Sequence, residues 1–423
     1  MTEPYPLADD FFRRESANLI AVLTRAFGFV SIELVEDAVQ EAMVQALQSW
    51  RQGVVPANPA AWLHRVAKNR LISALRRAGR SSGLEDEDWV AATERVRFEP
   101  DEIEDSLLGM IFACCHPILE RESQLALTLK ILCGLGDHEI GRALFASPGA
   151  IKRRVSRAKQ ALAKDGIPLG VPDGPELLSR LDVVHEVLYL LFNEGYSASR
   201  GELPVRIDLC EEAARLTHLL CESEFAQPAT RALLALMLYH AARLESRTGD
   251  DGAIVLLGDQ NREAWDWKMI GVAESWFERS AGGESISRFH LEAGIARHHC
   301  IASSVDTTDW SAIVRHYEIL LQLYPSPLYR LNRAVALGQL GERDEALHEL
   351  QAMDQQEVLA EYPLLHCALA DLLMKSGDRA AARHHLRRAL VHVHVPKERE
   401  LIESRLRQGQ EEPSTSATEE PPM

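Results

Sequence analysis

Residues 147–162 read Ser147-Pro148-Gly149-Ala150-Ile151-Lys152-Arg153-Arg154-Val155-Ser156-Arg157-Ala158-Lys159-Gln160-Ala161-Leu162, and their chemistry divides cleanly at helical spacing. Ser147 is a good N-cap, and Pro148, with its fixed φ and missing N–H, suits the first helical position. Ile151, Val155, Ala158 and Leu162 then form one apolar stripe, while Arg153, Ser156, Arg157 and Gln160 point the opposite way with Lys152 and Arg154 on the flanks. Just upstream, Asp137 to Phe145 makes a second short amphipathic helix, and Ala146 to Gly149 leaves room only for a tight turn. Two helices at this spacing make a helix-turn-helix. Its second helix has what groove recognition needs: an apolar stripe to seat it and long donors for base edges and phosphates.

A second basic block lies earlier. Val35, Ala38, Val39 and Ala42 share one face of a helix whose other face carries Glu36, Asp37, Gln40 and Glu41. The next helix, from about Pro59 to Arg80, places Trp62, Val66, Asn69 or Leu71, and Leu75 inward and crowds Arg65, Lys68, Arg70, Arg76, Arg77 and Arg80 elsewhere. No acidic residue follows until Glu85, so the helix end is polybasic, of the kind that tracks phosphates.

Whole-chain figures hide this pattern. The 423 residues, about three domain lengths, carry 46 Lys and Arg against 63 Asp and Glu, a net charge of −17 that by itself argues against a nucleic-acid partner. By segment, residues 1–80 hold 10 basic and 8 acidic side chains (+2), and 81–105 hold 2 and 10 (−8). Residues 106–165 hold 9 and 5 (+4), and 166–423 hold 25 and 40 (−15). Two mildly basic blocks are separated by an acidic connector and followed by a long acidic remainder. Apolar residues recur at three and four spacings almost throughout, which predicts an all-α protein. Seven cysteines without a C-x-x-C pair predict reduced thiols, and the lack of any long apolar run predicts a cytoplasmic chain with no membrane segment.

The two blocks resemble the two domains of bacterial sigma factors of the extracytoplasmic-function (ECF) class. Val35-Glu36-Asp37-Ala38-Val39-Gln40-Glu41-Ala42 is similar to the region two helix that docks on the polymerase β′ clamp. Trp62-Leu63-His64-Arg65-Val66-Ala67-Lys68-Asn69-Arg70 resembles the helix facing the minus-ten element. Gly149 to Lys159 resembles the region four recognition helix for the minus-thirty-five element. Two departures stand out: the loop Arg51 to Asn58 has no aromatic residue to stack on a flipped base, and Ala150 replaces a usual Thr. Cys114-Cys115-His116-Pro117, Phe192-Asn193-Glu194-Gly195-Tyr196, Asp259-Gln260-Asn261-Arg262 with Trp265, and Pro325-Ser326-Pro327 resemble the ECF group with a long tetratricopeptide-like C-terminal extension.

The resemblance implies region two at 8–80, region four at 106–167 and a helical extension at 168–408, and composition adds an acidic linker at 81–105 and a disordered tail at 409–423. The resemblance also implies core RNA polymerase (β′ clamp and β flap) and promoter DNA as partners. Asp37, Gln40 and Glu41 would meet polymerase; Arg65, Lys68, Asn69, Arg70, Arg76 and Arg77 the minus-ten element; Lys152, Arg153, Arg154, Ser156 and Arg157 the minus-thirty-five element. The extension would control activity and meet an unidentified protein or ligand.

Independently of the resemblance, Gly341-Glu342-Arg343-Asp344-Glu345-Ala346-Leu347 aligns with Gly377-Asp378-Arg379-Ala380-Ala381-Ala382-Arg383 at an offset of 36, near the ~34-residue tetratricopeptide period. Neighbouring Cys114-Cys115-His116, His298-His299-Cys300, His384-His385 and His392-Val393-His394 point in different directions on a helix and cannot close a metal site without distant partners, so no metal and no cofactor is expected. There is no Gly-rich phosphate loop, H-E-x-x-H or G-x-S-x-G, so an enzyme is not expected either. The alternative is a helix-turn-helix regulator fused to a protein-interaction module and acting without core polymerase.

Overall fold

The computed structural model describes residues 9–50, 55–82, 96, 98, 100–144, 146–172, 174–196, 205–249, 253–283, 285–355, 361–393 and 395–408. The acidic run Glu85 to Asp88, most of the 81–105 linker, residues 51–54 of the minus-ten loop and the tail from 409 lie outside them. The described residues form eighteen helices and no strand, apart from one isolated bridge between Thr248 and Ile254. The all-α expectation holds. The chain divides into two compact units, Met1–Gly195 with Ile207–Ala226, and Tyr196–Arg206 with Gln227–Met423.

The first unit opens with α1 (Asp9–Phe27), α2 (Ile32–Trp50) and α3 (Pro59–Ser82). The expected stripe of α2 is the observed one, with Val35, Ala38, Val39 and Ala42 all buried beside Ile32 and Ala46. On α3 the buried stripe is Leu63, Ala67, Leu71 and Leu75, strictly every fourth residue. Leu71 and Leu75 are inward as expected, whereas Trp62 and Val66 are only half-buried and Asn69, the alternative to Leu71, is exposed. The reason is an aromatic cluster at one end of the packing. Trp50 stacks on Phe12 at 5.4 Å and meets Trp62 at 5.8 Å, which shelters the indole without placing it in the core. Leu71→Ala is therefore expected to cost about 2–5 kcal/mol in denaturant unfolding, whereas Asn69→Ala stays within about 0.5 kcal/mol.

Four more helices follow: α4 (Pro100–Cys114), α5 (Arg121–Ile131), α6 (Asp137–Ala143) and α7 (Pro148–Lys164). α4 packs along α1, while α5 and α6 both pack on α7. The unit is completed by α8 (Gly174–Tyr196) and α9 (Ile207–Glu222). Arg180 of α8, almost fully buried, donates from Nη1 to the Phe112 carbonyl at 2.9 Å, and Phe112 meets Phe225 edge-on. The first two helices after residue 168 thus belong to the same compact unit as the N-terminal helices. None of the seven cysteines forms a disulfide, and six of them are buried. Burial pushes the Cys115 thiol up to about 12 and raises Cys114 and Cys133 as well, which keeps them protonated and unreactive.

The second unit runs through α10 (Pro228–Ala241), α11 (Trp267–Ser280), α12 (Arg288–Ile301), α13 (Trp310–Leu323), α14 (Pro327–Leu340), α15 (Arg343–Asp354), α16 (Pro363–Lys375), α17 (Arg379–His392) and α18 (Pro396–Gln408). From α12 onward each helix packs on the next around one core that extends from Leu291 to Ile402. Side-chain caps set several starts: Asp266, Asp309, Ser326 and Asp378 each accept a backbone N–H of the first turn. The two aligned glycines play one role. Gly341 has φ 106° and Gly377 φ 89°, so each ends a helix in a conformation that a Cβ penalises and lets the next helix fold back.

Candidate functional site

Two helix faces of the first unit collect the residues expected to act. On α2, Asp37, Gln40 and Glu41 are exposed and, with Val44, Gln45, Gln48 and Arg70, line one open groove. Val44 is 52% exposed, an apolar group among the polar residues that line the groove. Arg70 crosses from α3 to pair with Glu41 and donates from Nη2 to Gln45 Oε1 at 2.8 Å. One guanidinium expected on the basic face is therefore committed to the acidic one.

The other α3 candidates divide by spacing. Arg65, Asn69 and Arg76 (i, i+4, i+11) fall on the face opposite Leu63, Ala67, Leu71 and Leu75, and all three are exposed. Lys68 is half-buried at the edge, and Arg77 is exposed with its Nε donating to the Ser73 carbonyl at 3.3 Å. His64 is turned inward. Its Nε2 lies 2.8 Å from Glu15, and its ring stacks on Phe98 at 4.1 Å.

The second face is built on α7. Ser147 caps it, its Oγ accepting from the Ala150 N–H at 3.3 Å, and Pro148 occupies the first turn. The preceding turn is tight: the Ala146 N–H donates to the Gly141 carbonyl at 2.7 Å, and a Cβ at Gly141 would sit 2.5 Å from the Ala146 oxygen. Only glycine fits there. Ile151, Val155, Ala158 and Leu162 are buried, as the spacing predicts, and Lys152, Arg153, Ser156, Arg157 and Gln160 are exposed. Arg154 differs from its neighbours. It is half-buried and paired with Glu122 of α5, so it braces the helix.

A further link is not readable in the sequence. Lys159 of α7 donates to Glu36 of α2 at 2.6 Å, with only 14% and 19% of the two side chains exposed. The two partners are 123 residues apart, and neither periodicity nor charge counting brings them together.

One cluster joins metal-type ligands from separate helices. Asp354, His366 and His385 present ligand atoms within 4.8 Å of one another, and the Nδ1 atoms of the two imidazoles are 3.3 Å apart. Distant partners thus do converge on His385. Arg388 holds the other Asp354 oxygen at 2.7 Å, so the carboxylate's charge is already balanced by a guanidinium, and no metal is assigned there. No helix among the described residues is long and apolar enough to cross a membrane.

Comparison with known proteins converges on the first face. Residues 12–81, which span nearly all of α1 to α3, match the sigma-70 region 2 family, and residues 180–281 match a family of unknown function, DUF6596. The chain is 35% identical over 398 residues to Uncharacterized protein R00370 of Rhizobium meliloti (strain 1021), across 93% of this chain and 94% of that protein. It is 32% identical over 131 residues to the ECF RNA polymerase sigma factor SigE of Mycolicibacterium smegmatis, across 30% of this chain and 49% of SigE. No solved structure matches. The chain therefore belongs to the family of the Rhizobium meliloti protein and carries at its N-terminus the region 2 of the sigma-70 factors.

Proposed function

We propose that this protein is a sigma factor that binds core RNA polymerase, selects promoters through α3 and α7, and is controlled by its own C-terminal helices. The observation that carries the reading is the sigma-70 region 2 match over α1–α3, inside which the α2 groove and the exposed Arg65, Asn69 and Arg76 face lie ready for two partners. Asp37, Gln40 and Glu41, with Val44 at their centre, dock on the β′ clamp. Arg70 acts as a positioning residue that holds Glu41. Arg65, Asn69 and Arg76 contact the minus-ten element, with Lys68 and Arg77 on phosphates at the edges. The pair α6–α7 is a helix-turn-helix whose Lys152, Arg153, Ser156 and Arg157 read the minus-thirty-five element, while the β flap receives the rest of region four. Helices α13 to α18 form a tetratricopeptide-like stack. Equilibrium binding of labelled full-length protein to core polymerase tests the reading: saturable binding supports it, and no binding at micromolar concentration rejects it in favour of a regulator that acts without core.

Geometry adds a requirement. Elements centred at minus thirty-five and minus ten are about 25 base pairs, or roughly 85 Å, apart along B-form DNA. A compact unit of about 200 residues has a radius of gyration on the order of 17 Å and is roughly 45 Å across. With α2 and α7 joined through Glu36 and Lys159, the first unit cannot reach both elements at once. On this reading the described arrangement is a closed state that opens on polymerase, and that α8 and α9 belong to the same compact unit supports a part for them in keeping it closed. The 83–99 segment, fully extended at about 3.4 Å per residue, reaches roughly 58 Å, enough for the two halves to separate.

Charge reversal tests the closure. Lys159→Glu alone or Glu36→Lys alone is expected to lower the unfolding free energy and raise promoter binding, and the double swap is expected to restore both. A coupling of about 1 kcal/mol in the double-mutant cycle is the predicted magnitude for this partly buried pair. Additive effects, with no coupling, contradict the closed state.

A further inference from the structure

The connection between α10 and α11 holds polar chemistry that the sigma reading does not use. Arg243 Nε, Arg247 Nε, Gln260 Oε1, Arg262 Nη2, Trp265 Nε1 and His299 Nδ1 are all buried without a hydrogen-bond partner, six of the ten such atoms among the described residues. They are neighbours. Arg243 and Arg262 lie over the Trp265 ring at 5.7 and 4.7 Å, and Arg247 lies over Tyr196 at 3.7 Å. Arg243 Nη2 donates to the Tyr196 hydroxyl at 3.2 Å and lies 2.8 Å from His240 Nδ1. Arg262 Nη1 donates to the carbonyls of His299 and Ala302 at 2.6 and 2.8 Å. Arg243 and Arg262 are thus each held by some of their donors and left with another unused, while Arg247 rests on the Tyr196 ring with its Nε unused.

Charge is unbalanced as well. Among the described residues none of Arg243, Arg247 and Arg262 forms an ion pair. Burial first, and then Arg243 and Arg262, depress His299 to about 3. Burial, and then Arg243, Arg247 and His299, hold His240 well below the ordinary imidazole range. Both imidazoles are held neutral first by burial and then by the neighbouring guanidiniums. Guanidiniums gathered in this way, with no ion pair among the described residues, are destabilising unless an anion completes them.

The orphaned atoms specify that anion. Three guanidinium N–H groups and the Trp265 N–H are more donors than one carboxylate, already serving a single arginine well, accepts in good geometry; the three oxygens of a phosphoryl group suit several arginines at once. Gln260 Nε2 is used on the Val255 carbonyl at 3.2 Å, which leaves Oε1 as an acceptor that needs an O–H from the ligand. We propose that this patch binds a phosphate-bearing small molecule, with Arg243, Arg247 and Arg262 on the phosphoryl oxygens and a ligand hydroxyl donating to Gln260 Oε1. Binding there ties Tyr196, and Arg243 just after α10, to Arg262 and Trp265 before α11, so ligand occupancy reports to the helices of this unit. The site is independent of the sigma reading and stands or falls separately from it.

The test is thermal unfolding of the full chain, with Trp fluorescence as the readout, titrated with inorganic phosphate, sulfate, acetate and a sugar phosphate at constant ionic strength. A saturable rise of several degrees with phosphate or the sugar phosphate, and a weaker one with sulfate, which lacks the O–H at neutral pH, is expected. A stronger response to the sugar phosphate identifies an ester rather than free phosphate as the ligand. Arg247→Met and Arg262→Met are expected to weaken the response roughly 10- to 100-fold. Without phosphate Arg247→Met should leave the melting temperature unchanged or raised, because repulsion is relieved, whereas Arg262→Met also loses the bonds to the His299 and Ala302 carbonyls and lowers it. Arginines that only brace the loop would instead lower it equally with and without phosphate. The absence of any saturable phosphate response in the native chain, or its survival in both variants, overturns the proposal. If the variants do not fold, the native titration alone decides.

Discussion

Replacing Lys152, Arg153 and Arg157 together by alanine is expected to abolish sequence-specific promoter binding while leaving the fold intact. All three are exposed on α7, away from the buried stripe of Ile151, Val155, Ala158 and Leu162, so the stability cost is within about 0.5 kcal/mol each. On the proposed reading their loss removes one base-edge reader and two phosphate contacts, at about 1–3 kcal/mol each, and affinity is expected to fall by roughly a thousandfold or more. The slope of log affinity against log salt becomes shallower by about 2 to 3, as expected when that many phosphates lose a cation. Arg153→Ala alone relaxes base preference, whereas Lys152→Ala alone weakens all sequences alike. Arg154→Ala behaves differently from both. It releases Glu122 and acts through the seating of α7, so its effect appears in stability before it appears in salt dependence. Promoter titrations across a salt series separate these cases, and an unchanged slope in the triple variant rules out α7 as a DNA-reading helix.

The second large effect belongs to α2. Asp37→Arg combined with Val44→Glu places charge of the wrong sign on the rim and any charge at all on the apolar centre of the groove. Both residues are exposed, so circular dichroism and melting temperature stay close to those of the native chain. Like-charge contacts at a docking surface cost several kcal/mol, and affinity for core polymerase is expected to fall at least a hundredfold. Glu41→Gln is milder and informative: it frees Arg70, and a loss of core binding without loss of promoter binding shows that Arg70 serves the α2 face. Retained core affinity in the Asp37→Arg, Val44→Glu variant means that polymerase, if bound, is bound elsewhere.

How much of this was legible in the sequence depended on the range of the interaction. The α7 stripe, its Ser147 cap and Pro148 start, the apolar face of α2 and the glycine turns at 341 and 377 are set within a helical turn or two, and each appears where spacing places it. The first half of the α3 stripe came out one position away, at Leu63 and Ala67 in place of Trp62 and Val66, because Trp62, the largest apolar residue, packs against Trp50 in the aromatic cluster and leaves the core to smaller residues, while Leu71 and Leu75 lie where spacing places them. Charge was read by location and not by engagement: Arg70, Arg154 and Lys159 are all basic residues on basic helices, and all three are paired with carboxylates from other helices. The same limit hid the cluster at Arg243, Arg247 and Arg262. A motif such as Asp259-Gln260-Asn261-Arg262 shows polar residues on a loop, but only folding shows that Gln260 and Arg262 turn inward and keep donors and acceptors unused. The overall charge of −17 proved least informative, because the faces that would meet DNA are a few square nanometres carrying the opposite sign.

The most direct measurement is promoter-dependent transcription in vitro by core RNA polymerase supplied with this protein, using a promoter library, once with the full chain and once with a chain ended after Ala226 to keep the first unit whole. Discrete transcripts from a defined promoter set that depend on added protein, and whose yield changes when the second unit is removed, are the predicted result. Core polymerase whose template choice is the same with and without the protein would contradict it.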